Sequence, residues 1–172
     1  MRGLAPLLAR WRVPLGFVAA AVTLAFARPT LRSLELGFVI AASGEMIRIW
    51  AAGHLEKSRE VTRSGPYRFV RHPLYVGSSV MAAGIVIAAN TMVVAVVAAV
   101  YMISTIVAAV RTEEAFLDRM FGDTYDRYRS STAEPMMRRF SIERVMRNRE
   151  YRAAIGLVVG FALLALRVSV LL

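Results

Sequence analysis

Two short stretches of this chain concentrate polar chemistry beside long apolar runs. The first, SGPYRFVRHPLYVG from Ser64 to Gly77, sets Tyr67, Arg68, Arg71, His72 and Tyr75 around Pro66 and Pro73. The second, RTEEAF, begins at Arg111 and places Glu113 and Glu114 side by side where another apolar run ends. Arginine and histidine can face a carboxylate. Adjacent glutamates accept hydrogen bonds from an ammonium group or from ribose hydroxyls, and tyrosines offer aromatic faces with polar tips. The combined inventory suits a small molecule that carries both signs of charge and an aromatic ring.

That chemistry requires elements that bring the two clusters together. Of 172 residues, 57% are apolar, and the mean hydropathy is positive, which is too apolar for a soluble domain of this size. Apolar runs at Val13–Ala27, Leu34–Gly53, Leu74–Ala89, Met92–Val110 and Ala153–Leu172 approach the roughly 20 residues that cross a bilayer as helix. They predict an all-α integral membrane protein of about five transmembrane helices, one membrane domain over residues 1–172. The first run is the shortest; Leu4–Leu8 extends it, and Pro6 and Pro14 sit where proline fits a helix start. A cleaved signal peptide is the rival reading, since Arg2, Arg10 and Arg12 are basic. The length of the run and the lack of a small-residue cleavage site before Arg28 disfavour it.

Leu74–Ala89 and Met92–Val110 are separated only by Asn90–Thr91, so they form a tight antiparallel hairpin. Their rises, about 24 Å and about 28 Å, nearly match the hydrocarbon thickness, and both polar clusters therefore fall at the same membrane boundary. Gly77, Ser78, Ser79, Ala82, Ala83 and Gly84 permit close helix approach, and Ser78 and Ser79 are assigned to packing. Within the second run, Glu45 and Arg48 are three apart, share a helix face, and form an internal pair or line the pocket.

Charge sets orientation. The chain has 22 basic and 12 acidic residues, net +10, and every basic residue except Lys57 is arginine. The arginines fall between apolar runs rather than on a soluble face, which argues for membrane orientation and against nucleic acid. The segments 54–72 and 111–152 are basic, the latter with ten arginines, and are expected on the cytoplasmic side of the inner membrane; Arg28 and Arg32 are a mild violation. The segment 132–152 mixes six arginines with Met136, Met137, Phe140, Ile142, Val145 and Met146, the pattern of an amphipathic interfacial helix leading into the last span. There is no cysteine, and His54 and His72 lack compact ligand spacing, so no metal site is expected. Nothing in the sequence sets an oligomeric state.

S-adenosylmethionine matches the polar inventory, having an adenine, a ribose, an amino-acid zwitterion and a sulfonium. Taken singly, each residue has a plainer role: interfacial anchor, helix-starting proline, capping histidine, helix-end carboxylate. The hairpin that joins them favours a ligand site.

GPYRFVRHPLYVG, an apolar hairpin, EE and then FGDTYDRY, in that order, resemble the isoprenylcysteine carboxyl methyltransferases and their relatives, the phospholipid methyltransferases. The resemblance runs from about Trp50 to Tyr128. It implies a small helical membrane methyltransferase that uses S-adenosylmethionine without a Rossmann domain, with its cofactor-binding core at about 50–130; the first two helices and the C-terminal part, an interfacial helix and last span at about 132–172, contribute little to the resemblance. Residue by residue, it carries cofactor contact to Tyr67, His72, Pro73, Leu74 and Tyr75, and to one or both of Glu113 and Glu114. GHLEKSREVTRSG resembles a loop that covers the cofactor, which adds His54, Lys57, Arg59, Glu60, Val61 and Thr62. A substrate-carboxylate arginine falls near Arg111, offset in register. The implied acceptor is lipid-like, a prenylated-cysteine carboxylate or a phospholipid amine, with membrane lipids as surroundings. Two other classes stay open: an NADPH-dependent reductase related to sterol reductases, and a non-catalytic protein that binds lipid or a partner. Tyr125 and Tyr128, three apart on one helix face, are read as scaffold beneath the site.

Overall fold

The computed structural model describes residues 4–171, with the side chains of residue 11 and of residues 14–168; Arg2 and the last residue of the predicted final span lie outside the described residues. The described residues form α-helices and one 3₁₀ turn, without strands. In chain order the helices are α1 (Leu4–Phe26), α2 (Leu31–His54), α3 (Pro73–Ala89), α4 (Met92–Phe121), α5 (Asp123–Arg129), α6 (Ile142–Arg147) and α7 (Tyr151–Leu171), with the 3₁₀ turn at Gly65–Arg68.

Local chemistry explains the boundaries. A reciprocal cap starts α2: the Ser33 amide donates to Thr30 Oγ1 at 3.1 Å and the Thr30 amide donates to Ser33 Oγ at 2.9 Å. Pro73 begins α3, where its missing amide proton costs nothing, and Asn90 ends it in the left-handed region at φ 53°. Past Asn90–Thr91, α4 runs well beyond the predicted Val110, because no proline or glycine interrupts it until Gly122 at φ 41°. Its 30 residues rise about 45 Å, so its last third stands past a hydrocarbon layer of about 30 Å and carries Glu113 and Glu114 on rigid helix.

The hairpin of α3 and α4 is present, but the close packing of its small residues faces α2, which α3 follows far more extensively than it does α4. A Cβ on Gly37 would lie 2.5 Å from the Gly84 carbonyl oxygen, and one on Gly44 would lie 2.5 Å from the Met81 amide nitrogen. Glycine is required at this backbone-to-backbone approach. Helix α7 closes the far side, where Phe161 meets Phe38 edge to face at 5.3 Å over a core of Ala41, Ala88, Val94, Leu157 and Leu164. At the same end Arg167 donates to the carbonyls of Ala25 and Ala27, satisfying the last turn of α1.

Three helices, α2, α4 and α7, are long and apolar enough to cross a membrane; Pro14–Phe26 and Pro73–Ala89 are shorter apolar helices. Phe17, Val39, Ile103 and Leu166 stand exposed along the long helices, surface that lipid would cover. Two expectations change. The segment 132–141 is not helical: Pro135 lacks an amide proton and biases Glu134 away from helix, so helix is confined to Ile142–Arg147. Arg48 reaches Glu45 at 3.5 Å but is held more tightly by Glu150, at 2.6 Å, and also donates to Ser78.

Candidate functional site

A cavity of about 430 Å³ opens where the C-terminal end of α2, the start of α3 and the last third of α4 converge. Its first wall is the irregular stretch 55–62 after α2, contributing Leu55, Glu56, Lys57, Glu60, Val61 and Thr62. Its second is the 3₁₀ turn and the start of α3, contributing Tyr67, Arg71, His72, Pro73, Leu74 and Tyr75. Its third is one face of α4, where Thr105, Ala109, Thr112, Glu113 and Phe116 recur at helical spacing, and Tyr128 of α5 completes it.

The adjacent glutamates have different surroundings because successive helical residues point about 100° apart. Glu113 lines the cavity, and its Oε2 accepts the Tyr75 hydroxyl at 2.9 Å with His72 Nδ1 3.9 Å away. Glu114 is absent from the lining; its Oε1 accepts from His72 Nε2 at 3.1 Å and from Arg71 at 3.2 Å. The imidazole, at the cap position before Pro73, is thus bracketed by two carboxylates.

The other carboxylates of the lining are taken. Glu56 meets Arg147 at 2.8 Å and Arg144 at 3.8 Å, and Glu60 receives a two-pronged Arg138 at 2.5 and 2.7 Å. Among the described residues, Glu113 is the cavity glutamate without an arginine or lysine ion pair. Burial, helped by the nearby Glu113 charge, pushes the Tyr67 phenol well above the ordinary tyrosine range, so it stays protonated. Behind it, the Tyr128 hydroxyl donates to the Tyr67 carbonyl oxygen at 2.8 Å, and burial raises that phenol to about 12.

Ten of the fourteen residues singled out in the sequence line this cavity: Lys57, Glu60, Val61, Thr62, Tyr67, His72, Pro73, Leu74, Tyr75 and Glu113. Four do not. Glu114 stands behind His72; Arg59 is exposed; Arg111, about 200° round α4 from Glu113, points elsewhere. His54 is buried behind the wall, where it bonds Ser64 at 3.1 Å and lies against Phe140. Thr105, Ala109, Thr112 and Phe116 were missed, although helical steps of three or four from Glu113 reach Phe116, Ala109 and then Thr105, and Thr112 is its immediate neighbour.

A family model described as phospholipid methyltransferase matches residues 33–124, more than half of the chain. The chain belongs to the phospholipid methyltransferase family. It is also similar to two curated proteins, each 32% identical. These are a cobalt-zinc-cadmium resistance protein, CzcN, of Cupriavidus metallidurans, over 64% of this chain and 55% of that protein, and a nickel-cobalt-cadmium resistance protein, NccN, of Alcaligenes xylosoxydans xylosoxydans, over 57% of this chain and 46% of that protein. The chain thus spans about half the length of the curated relatives it matches. No solved structure matches it. With its apolar helices, this member of the family is an integral membrane protein. The family match covers α2, α3, α4 and every cavity residue except Tyr128.

Proposed function

We propose that this protein is an S-adenosylmethionine-dependent methyltransferase acting on a lipid-like acceptor, with the cofactor held in the 430 Å³ cavity. The observation that carries the reading is Glu113: a cavity carboxylate without an arginine or lysine partner, bonded by the Tyr75 hydroxyl in a lining that also includes Tyr67. Such a group receives a cationic or hydroxyl-rich ligand, while Lys57, Arg71 and His72 offer the opposite charge to a carboxylate. The volume lies within the range of about 300–1,000 Å³ usual for small-molecule sites, and Leu55, Val61, Leu74, Phe116 and Leu117 supply apolar walls for a ring.

When bound, S-adenosylmethionine supplies a methyl group on a sulfonium, transferred in line as the acceptor's lone pair forms the new bond and the carbon–sulfur bond breaks. The chain has to hold the two in line and keep water out. Tyr67 and Tyr75 line the cavity with Glu113, and the α4 face of Thr105 and Ala109 leads from Glu113 along the apolar part of that helix. This face is the proposed entry for an acceptor whose tail stays in lipid. A carboxylate acceptor needs no base; an amine must lose a proton, which Glu113 would accept under this reading. The basic segments put this end of the bundle in the cytoplasm under this reading, where a soluble cofactor reaches it directly. Metal resistance, the context in the relatives' names, would follow from a modified membrane component.

Calorimetry on the detergent-solubilised protein tests the reading. S-adenosylmethionine and S-adenosylhomocysteine should bind, and Glu113→Ala should remove most of that affinity in a protein that still melts cooperatively. Binding of NADPH in their place would establish the reductase reading. Methyl-labelled cofactor incubated with lipid extracts then identifies the acceptor. Equal labelling of short soluble acceptors and their long-chain analogues would defeat entry from the bilayer.

A further inference from the structure

Residues 138–148, beyond the family match, run back across the outside of the cavity wall formed by residues 55–62. The wall has no helix or strand to fix it; it is an irregular stretch with Ser58 in the left-handed region at φ 59° and a short turn bond from the Arg59 amide to the Glu56 carbonyl. Its fixed points come from the C-terminal strap. Arg138 grips both carboxylate oxygens of Glu60, at 2.5 and 2.7 Å, and donates to the His54 carbonyl. Arg147 holds Glu56 at 2.8 Å, Asn148 donates to the carbonyls of Ala52 and Leu55, and the Ser141 amide and Arg144 Nε both donate to the Gly53 carbonyl. Phe140 packs on Gly53 and the His54 ring. Inside the wall, Thr62 Oγ1 accepts from the Glu56 amide, linking the stretch gripped by Arg147 to the one gripped by Arg138.

We propose that Arg138, seconded by Arg147, is a positioning residue: it holds the wall 55–62 in its ligand-ready conformation before the ligand arrives. The inference rests on the cofactor reading above. A planar guanidinium on a carboxylate fixes both distance and orientation, which a single-point contact does not. Without it the wall samples other conformations, and apparent affinity falls in proportion to the competent fraction. The bound state, once formed, is unchanged. Loss of the strap therefore raises the dissociation constant and leaves the number of binding sites alone, whereas general unfolding lowers the number of sites and leaves the constant alone.

The test compares Arg138→Gln, Arg138→Lys and the wild type by calorimetry with S-adenosylhomocysteine, and by hydrogen–deuterium exchange of the ligand-free proteins. Arg138→Gln should weaken binding about tenfold, the scale of one charge-assisted hydrogen bond, at unchanged stoichiometry. Arg138→Lys, which keeps charge without the two-pronged grip, should fall between. Amides of residues 55–62 should exchange faster in Arg138→Gln while α2, α3 and α4 keep their protection. Unchanged exchange at 55–62, or lowered stoichiometry at an unchanged dissociation constant, overturns the proposal. If Arg138→Gln does not fold, Arg147→Gln carries the same criteria, since its guanidinium is half-exposed and Arg144 remains beside Glu56. Failure of the wild type to bind S-adenosylhomocysteine would count against the cofactor reading, and the exchange measurement, which needs no ligand, would still decide whether the strap holds the wall.

Discussion

The Tyr75 hydroxyl, on the first turn of α3, donates to Glu113 on α4 at 2.9 Å and so bridges the two helices in the cavity wall. Glu114, one residue on, serves Arg71 and His72 instead. Separate roles follow. Glu113→Ala should abolish most ligand affinity with little change in Tm, and Tyr75→Phe should weaken binding about tenfold, the scale of one hydrogen bond to a charged group. Glu114→Ala should lower Tm and affinity together, because it strips Arg71 and His72 of their shared carboxylate. Indistinguishable profiles for the two glutamate variants would refute this division.

Tyr128 gives an alkaline signature. Its folded value, about 12, exceeds the unfolded value near 10, so the folded state keeps a proton that the unfolded state gives up. The stability tied to that proton is whole below pH 10 and is lost as pH rises towards 12. Melting curves should show Tyr128→Phe with a shallower loss above pH 10 than the wild type, the remainder reflecting Tyr67 and Tyr125, which burial also raises. Both Tyr125→Phe and Tyr128→Phe should keep most methyl transfer. Alanine at either position should cost Tm and activity together, since the buried Tyr125 ring packs near that of Tyr128, which itself lines the cavity.

The approach of α2 to α3 predicts a sharp contrast among glycines. Gly37→Leu would force a side chain into the Gly84 carbonyl and the Ala88 backbone, neither of which can swing aside, and should cost about 3 kcal/mol or more. A Cβ added at Gly160 meets nothing within 4 Å, so Gly160→Leu has open space at its root and should change stability by about 0.5 kcal/mol at most. Thermal melting in one detergent compares the two; equal losses would contradict the packing described.

Arg48 is the cation between two buried carboxylates, Glu45 and Glu150. Arg48→Leu leaves both without their cation and should destabilise by about 3–5 kcal/mol, as breaking a buried pair does. Replacing Glu45, Arg48 and Glu150 together by leucine should restore much of that loss. If the triple variant melts lower than Arg48→Leu, the cluster contributes net stability beyond mutual neutralisation.

The sequence by itself determined the helical membrane class, the turn at Asn90–Thr91 and the meeting of the Tyr67–Tyr75 stretch with Glu113. These follow from local and periodic features: apolar run length, a two-residue link, and a helix too stiff to put its end anywhere else. Only tertiary structure decided which glutamate faces the cavity, because Glu113 and Glu114 differ by a rotation about α4 that composition does not register. Tertiary structure also turned the small residues of α3 towards α2, since glycine spacing shows that a close neighbour exists without naming it. The joining of Arg48 to Glu150 and of Arg138 to Glu60 depends on where α7 and the strap return. Those pairs are 102 and 78 residues apart in the chain, a separation over which no local pattern specifies a partner.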